Sequence, residues 1–309
     1  MNTIAVILSE PEKLQLSRVD LLPPGAEDAV VEVEWSGIST GTEKLLYTGR
    51  MPMFPGMGYP LVPGYESVGR VVQAGPDSGL DVGTRVFIPG SRGFRDVRGL
   101  FGGAARRVVS AGKRLVPVDE TLGERAVLLA LAATAFHAVK DHPPELIIGH
   151  GVLGRLLARI TIAMGAPAPV VWEASAERAA DAHGYQVLDS ERDGRRDYGM
   201  VCDASGDQNI LDLLISRLRP QGEITLAGFY DRLSFAFAPA FMREARIRIA
   251  AEWNPADMVA LNALIASGGI SLDGLITHRE PAQSAPDAYR TAFGDPRCLK
   301  MILDWRTSE

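Results

Sequence analysis

The chemistry-bearing residues of this 309-residue chain begin with Gly149, Gly151 and Gly154, in the stretch ELIIGHGVLGRLLA from Glu145 to Ala158. Leu146 to Ile148 reads as a short buried strand, and Leu156, Leu157, Ile160 and Ala163 continue at helical spacing. Strand, G-x-G-x-x-G and helix, in that order, suit a dinucleotide. Gly149 allows the tight turn, Gly151 lets the backbone approach a pyrophosphate, and Gly154 lets helix and strand pack closely. The phosphates would sit on free N–H groups at the helix N-terminus, so His150, Val152 and Leu153 join the glycines as cofactor contacts. With 32 glycines in the chain, one such match is weak by itself. Glu173 strengthens it. This residue ends a second apolar run, Pro169 to Trp172, and lies 24 positions after Gly149 (173 − 149). A carboxylate there can accept both hydroxyls of an adenosine ribose and repel the 2′-phosphate of NADP. The plainer alternative is a solvated loop carboxylate. Arg178, one helical turn on, could meet a 2′-phosphate, pair with Glu173 or face solvent. The reading is NAD over NADP.

The elements that would position these residues change character along the chain. Residues 1 to about 118 are Gly/Pro-punctuated, with strand candidates at 3–8, 29–35, 67–73, 85–88 and 106–110, as in a compact barrel. Between them, YTGRMPMFPGMGYPLVPG from Tyr47 to Gly64 holds too many prolines for a regular element and reads as an apolar loop. From about 120, strands alternate with helices, the sign of a parallel sheet. After the first strand come 169–172, a helix at 175–182, strands at 185–188 and 199–203, a helix at 208–218, and strands at 223–227 and 247–251. The tail carries helices at 255–266 and 285–292 and a closing strand at 299–303. The fold class expected is α/β, a β-barrel domain plus a doubly wound parallel sheet. The domains divide as 1–118 with 253–309, and 119–252.

Composition narrows the function classes. A hydrophobic fraction of 46%, a charged fraction of 23% and a net charge of −6 are those of a globular protein with no nucleic-acid partner. The arginines are scattered rather than gathered into a stripe. Cys202 and Cys298 form no disulfide framework or clustered metal site and suit a reducing, cytoplasmic setting. No targeting peptide is read at the N-terminus. The longest uncharged apolar run, Ala126 to Val139, is too short to span a bilayer and reads as a buried helix.

Several local motifs then resemble the medium-chain dehydrogenase/reductase superfamily. They are Gly64-Tyr65-Glu66 with Val68-Gly69-Arg70-Val71, Gly83-Thr84-Arg85-Val86, Phe101-Gly102-Gly103-Ala104, Thr134-Ala135-Phe136-His137-Ala138, Asp203-Ala204-Ser205-Gly206 and Leu275-Ile276-Thr277-His278. The resemblance spans essentially the whole chain. It implies a GroES-like β-barrel catalytic domain, a Rossmann domain binding NAD, and a tail that returns to the first domain; a homodimer is a further family expectation. Thr134 matches the position at the nicotinamide end, while Ala204 and Gly228, after the fourth and fifth strands, join the cofactor set. Zinc members hold metal with Cys, His and a Cys or acidic residue. The matching positions here are Ser39, Tyr65 and Ala130, none a usual zinc ligand, and residues 90–103 lack the cysteines of a structural lobe. Both zinc sites are expected to be absent. Alcohol oxidation would then fall to groups at those positions: Ser39 and Thr40 bonding the substrate oxygen, Tyr65 relaying or accepting a proton, Glu66 as base. Turn capping by Ser39 and Thr40, and a structural role for Glu66, are the bland alternatives. His137, in an apolar helix, reads as structural, and His150 as a loop residue exposing its ring.

Within the superfamily, SGISTGTE (Ser36 to Glu43), RMPMFPGMGYPLVPGYE and GHGVLGR resemble one branch, the bacteriochlorophyll-biosynthesis dehydrogenases that oxidise a 1-hydroxyethyl group on a chlorin or bacteriochlorin. Met51, Met53, Phe54, Met57 and Tyr59 could offer a flat apolar surface to such a macrocycle, or simply pack on their own barrel. One of Arg92, Arg95 and Arg98 could pair its propionate. Two rivals stay open: a zinc-free quinone or enoyl reductase using NAD(P)H, and a non-catalytic NAD-binding module.

Overall fold

The computed structural model describes residues 1–230 and 232–307. Two compact units are present, Met1–Ala130 with the tail from Asp273, and Leu131–Leu272.

In the first unit, β1 (Asn2–Glu10) and β2 (Lys13–Asp20) form an antiparallel hairpin. The alternating start of β2 puts Leu14 and Leu16 on one face, and both, like Val19 further along, are partly buried against the core. The spine is β3 (Asp28–Ile38), whose DAVVEVEWSGI sequence buries Val30, Val31 and Val33. After it come α1 (Thr42–Tyr47), β4 (Leu61–Val62), β5 (Ser67–Ala74), β6 (Arg85–Ile88), β7 (Arg98–Gly99), β8 (Arg107–Ala111) and β9 (Val116–Pro117). One sheet runs β2-β1-β4-β7. In the other, β3 pairs β5 and β8, and β5 continues through β6 to β9. The Tyr47 to Gly64 loop is not wholly irregular: Leu61 and Val62 have the two-residue reach to pair β1 and β7.

The second unit opens with α2 (Leu129–Val139), then β10 (Leu146–Ile148), α3 (Val152–Ala163), β11 (Val170–Trp172), α4 (Ala176–Ala179), β12 (Gln186–Leu188), β13 (Tyr198–Asp203), α5 (Leu211–Arg217), β14 (Leu218–Leu226), α6 (Phe237–Met242), β15 (Arg246–Ile249) and α7 (Pro255–Ala266). All six strands are parallel, in the order β12-β11-β10-β13-β14-β15. The order reverses between β10 and β13, the place where a doubly wound sheet binds a dinucleotide. The helix expected at 175–182 is a single turn. Ala180 at its end is extended, with ψ of 167°, and the Arg178 carbonyl, which the N–H of residue 182 would need, accepts from the buried Arg155 guanidinium, as do the carbonyls of Ala180 and Asp181. The helix expected at 208–218 starts only at Leu211, since Asp207 caps the N–H of Asn209 in a turn.

The tail rejoins the first unit. There β16 (His278–Pro281) and α8 (Ala285–Gly294) precede β17 (Met301–Asp304), which pairs antiparallel with β3, Met301 opposite Ile38. Trp305 is fully buried and donates to Ser36 Oγ at 2.8 Å. Burying each such large side chain contributes roughly 2–3 kcal/mol, so the tail is integral to the barrel core. One apolar helical run, Glu120–Val139, has the length to cross a membrane. It is interrupted at Gly123, and Ala126 to Ala130 within it are buried.

Candidate active site

Sheet register gathers the cofactor residues. Ile148 lies level with Trp172 and with Asp203, so Gly149, Glu173 and Ala204 leave their strands at one edge. Gly149 has φ of 92°, open to glycine and strained for other residues. A Cβ on Gly154 would stand 1.8 Å from the Gly149 carbonyl oxygen, so α3 can approach the turn only without a side chain there. A Cβ on Gly151 would meet nothing within 4 Å. The cradle therefore fits a pyrophosphate: tight where the protein packs on itself and open where the ligand would lie. Glu173 is held by two backbone donors, His150 N–H on Oε2 and Ser175 N–H on Oε1, each at 2.9 Å.

Other members of the cofactor set fall differently. The His150 ring is not exposed but fully buried, because Nδ1 reaches the Arg178 carbonyl at 2.6 Å and Nε2 the Tyr185 hydroxyl at 2.7 Å. Val152 and Leu153 open α3. Arg178 lies on α4, and its N–H donates to Ser175 Oγ. Thr134 is half-buried on α2. Gly228 does not face open space, because a Cβ there would meet Tyr230 Oη at 2.5 Å. That Tyr230 hydroxyl donates to Asp203 at 2.7 Å. Burial pushes the Asp203 carboxyl above the usual carboxylate range. His137 is tied to Asp257 at 2.8 Å, which also takes Lys140 and caps α7.

In the first unit, the end of β3 and the start of β5 bring Ser39 and Tyr65 together, their hydroxyl oxygens 2.8 Å apart. Thr42 Oγ1 lies 3.5 Å from the Tyr65 oxygen, so three hydroxyls run from buried Ser39 to half-buried Thr42. Burial, then the neighbouring Glu66 charge, pushes the Tyr65 phenol well above its ordinary range, so it serves as a neutral hydroxyl, able to donate and relay. Thr40 is exposed. Glu66 is fully buried and accepts from Lys300 Nζ at 2.6 Å, while Lys300 also donates to the Ile38 carbonyl. Glu66 Oε1 is buried with no partner among the described residues.

Two groups that sequence reasoning passed over complete this cluster. Glu43 is fully buried on α1, accepting from Ser39 N–H at 3.1 Å and from the Tyr289 hydroxyl at 2.5 Å. Burial raises its carboxyl to about 7, with the Glu66 charge adding a smaller push. Lys300 sits one residue before β17, and only the pairing of that strand with β3 places it beside Ile38. Glu43 lay inside the SGISTGTE segment, and its place at the end of a glycine-containing turn was the one available signal. Nothing local marked Lys300.

A zinc ion does not fit here. Ser39 and Tyr65 offer neutral hydroxyls and Ala130 no donor at all, and no group of three or more His, Cys, Asp or Glu side chains gathers among the described residues.

The proposed substrate surface is divided. Met51, Phe54, Met57 and Tyr59 pack with Leu8, Leu46, Leu61 and Leu100 in a satellite core, and the Tyr59 hydroxyl donates to the Leu46 carbonyl. Met53 alone of the five stands out, 82% exposed. Arg92, Arg95 and Arg98 are exposed, and Arg98 is tethered to the loop through the Tyr59 carbonyl.

Comparison with known proteins agrees with both units. Residues 25–120 match the alcohol dehydrogenase GroES-like domain. Over 317 aligned residues the chain is 58% identical to the 2-desacetyl-2-hydroxyethyl bacteriochlorophyllide A dehydrogenase of Cereibacter sphaeroides, covering 100% of both chains. Its fold matches an alcohol dehydrogenase from E. coli CFT073 complexed with NADH, with a TM-score of 0.84 and 20% identity over 98% of this chain and 99% of that one. A dehydrogenase from Sinorhizobium meliloti 1021 bound to NADP matches with a TM-score of 0.81 and 20% identity, again over 98% and 99%.

Proposed function

Since the chain belongs to the 2-desacetyl-2-hydroxyethyl bacteriochlorophyllide A dehydrogenases, a branch of the medium-chain dehydrogenase/reductases, we propose that it oxidises the 1-hydroxyethyl group of a bacteriochlorophyllide to an acetyl group with NAD. It is an oxidoreductase of bacteriochlorophyll biosynthesis acting on an alcohol. The observation carrying the substrate is identity at 58% from end to end. The observation favouring NAD is Glu173, fixed by two backbone N–H groups at the end of β11. A carboxylate there accepts the ribose diol and repels a 2′-phosphate.

In the oxidation the carbinol carbon gives up a hydride and its oxygen a proton. NAD, when bound, supplies the hydride acceptor. Gly149, Gly151 and Gly154 shape the phosphate seat and Glu173 holds the ribose. Ser39 and Tyr65 hydrogen-bond the alcohol oxygen, and its proton passes along their hydroxyls to Thr42, at the half-buried end of the chain, and from there to solvent water, which takes it up. No step passes through a metal. Glu66, paired to Lys300, is assigned to positioning Tyr65 rather than to serving as a free base. Met53 and Arg98 border the pigment, with Arg92 and Arg95 as further candidates for its propionate. Glu120–Val139 is read as a core helix, and the open edge of β15 as the place for a second copy of the chain.

The test is incubation of the purified protein with a 3-(1-hydroxyethyl) bacteriochlorophyllide and either NAD or NADP. Formation of the red-shifted acetyl pigment with NAD, at least tenfold faster than with NADP, is expected, a factor of ten being about 1.4 kcal/mol of discrimination. Turnover only with NADPH and a quinone would assign the chain to reductase chemistry instead.

A further inference from the structure

The buried His150 ring takes no part in hydride transfer, yet it is bonded at both nitrogens. A carbonyl oxygen can only accept, so Nδ1, 2.6 Å from the Arg178 carbonyl, carries the proton. In the neutral ring Nε2 is then an acceptor, and the Tyr185 hydroxyl donates to it at 2.7 Å. Burial holds His150 below its ordinary range, which keeps this neutral form at neutral pH.

Arg155, one turn along α3 and 2% exposed, acts on the same segment. It donates to the carbonyls of His150 at 3.1 Å, Arg178 at 3.0 Å, Ala180 at 2.8 Å and Asp181 at 3.2 Å. Two side chains from the phosphate loop and α3 thus grip the chain that follows Glu173. The carboxylate is bonded to backbone at both of these places. Its Oε2 takes the backbone N–H of His150 itself, and its Oε1 the N–H of Ser175, whose hydroxyl caps Arg178. A carboxylate has about four acceptor sites, so these two bonds fix its direction and leave lone pairs for a ribose diol. Pre-fixing the carboxylate removes an ordering cost from binding. The position of its charge also decides how strongly a 2′-phosphate is repelled.

We propose that His150, with Tyr185 and Arg155, is a positioning device that sets the preference for NAD over NADP by locking Glu173 against the phosphate loop. The proposal rests on the NAD reading given above. A phosphate seat alone asks nothing of a side chain at the second position of G-x-G-x-x-G, whereas a lock on the ribose carboxylate asks for a buried group that donates on one side and accepts on the other.

The test uses the full-length chain and the variants Tyr185→Phe, His150→Ala and His150→Asn, with NAD and NADP dissociation constants from fluorescence titration and melting temperatures alongside. If freeing Glu173 weakens its ribose contact by the worth of one hydrogen bond, the loss is about tenfold in affinity. The NAD constant should therefore rise about tenfold in His150→Ala and Tyr185→Phe, the NADP constant should rise less, and the preference should shrink. His150→Asn, which keeps an N–H near the place of Nδ1, should recover part of it. A preference unchanged in Tyr185→Phe and in whichever His150 variant folds, even with a lowered melting temperature, would overturn the proposal and leave the clamp a stabilising feature only. Wild-type protein that binds NADP as tightly as NAD would instead remove the NAD reading beneath it. If His150→Ala does not fold, Tyr185→Phe decides the matter.

Discussion

Replacing Glu43 by Gln should remove a specific part of the pH dependence of stability. Glu43 lies fully buried between Ser39 N–H and the Tyr289 hydroxyl, with Glu66, Lys300 and Tyr65 as its other charged or titratable neighbours. Burial raises its carboxyl from 4.5 to about 7. Between those values the folded chain keeps a proton that the unfolded chain releases. Its contribution to stability is therefore fully present below pH 4.5 and is lost as pH rises through about 7. A gap of 2.5 (7 − 4.5), at about 1.4 kcal/mol per unit, corresponds to about 3 kcal/mol over the full window, and roughly 2–3 kcal/mol between pH 5 and pH 8. Glutamine does not titrate, yet its carbonyl can accept from Ser39 while its amide donates to the Tyr289 oxygen. Urea unfolding of both proteins at pH 5, 6, 7 and 8 reads the effect, provided the denaturant slopes agree. Wild type should lose roughly 2–3 kcal/mol more than Glu43→Gln across that range, leaving the variant the more stable protein at pH 8. A difference between the two that stays flat within about 0.5 kcal/mol would refute the reasoning, because it would mean that Glu43 is ionised in the folded chain at no cost.

Lys300→Met should lower stability by about 3–5 kcal/mol, since it strands the Glu66 charge in the barrel interior. Adding Glu66→Gln to it should restore at least half, and additive losses in a double-mutant cycle would contradict the pairing. Gly154→Ala forces a methyl group to within 1.8 Å of the Gly149 oxygen unless α3 retreats. NAD affinity should fall by more than tenfold, a loss above about 1.4 kcal/mol, with little change in the unfolding of the first unit; unaltered NAD titration would contradict the close packing assigned to this residue.

The strand–turn–helix around Gly149 was legible because its logic is local. Strand, turn and helix follow one another within 20 residues, and the glycines mark where backbone must turn, pack or stand open. The place of Glu173 at the end of its strand was legible for a related reason, since a parallel sheet places consecutive strand ends along one edge. β2 escaped notice despite its alternating pattern, because its outward face is strongly polar. The His150 ring was misjudged for want of its partners: Arg178 and Tyr185 lie 28 and 35 residues downstream. The Met-rich loop could be read either as pigment surface or as packing on its own barrel, and four of its five marked residues pack on a satellite core with Leu61 of β4. Hydrophobicity alone does not distinguish a surface for a ligand from a surface for the protein itself.

The sequence by itself determined the order of the two folds, the strand–turn–helix around Gly149 and the residue types that stand at Ser39, Tyr65 and Ala130, because each follows from residue type and short-range spacing. Only the tertiary structure decided what surrounds Ser39 and Tyr65. Glu43, Glu66, Tyr289 and Lys300 come from four separate segments, and the antiparallel pairing of β17 with β3 carries Lys300 across 234 positions to Glu66. In that dry interior a charge without a partner costs several kcal/mol. The partner must therefore be supplied by the fold, and no local stretch of sequence can announce it.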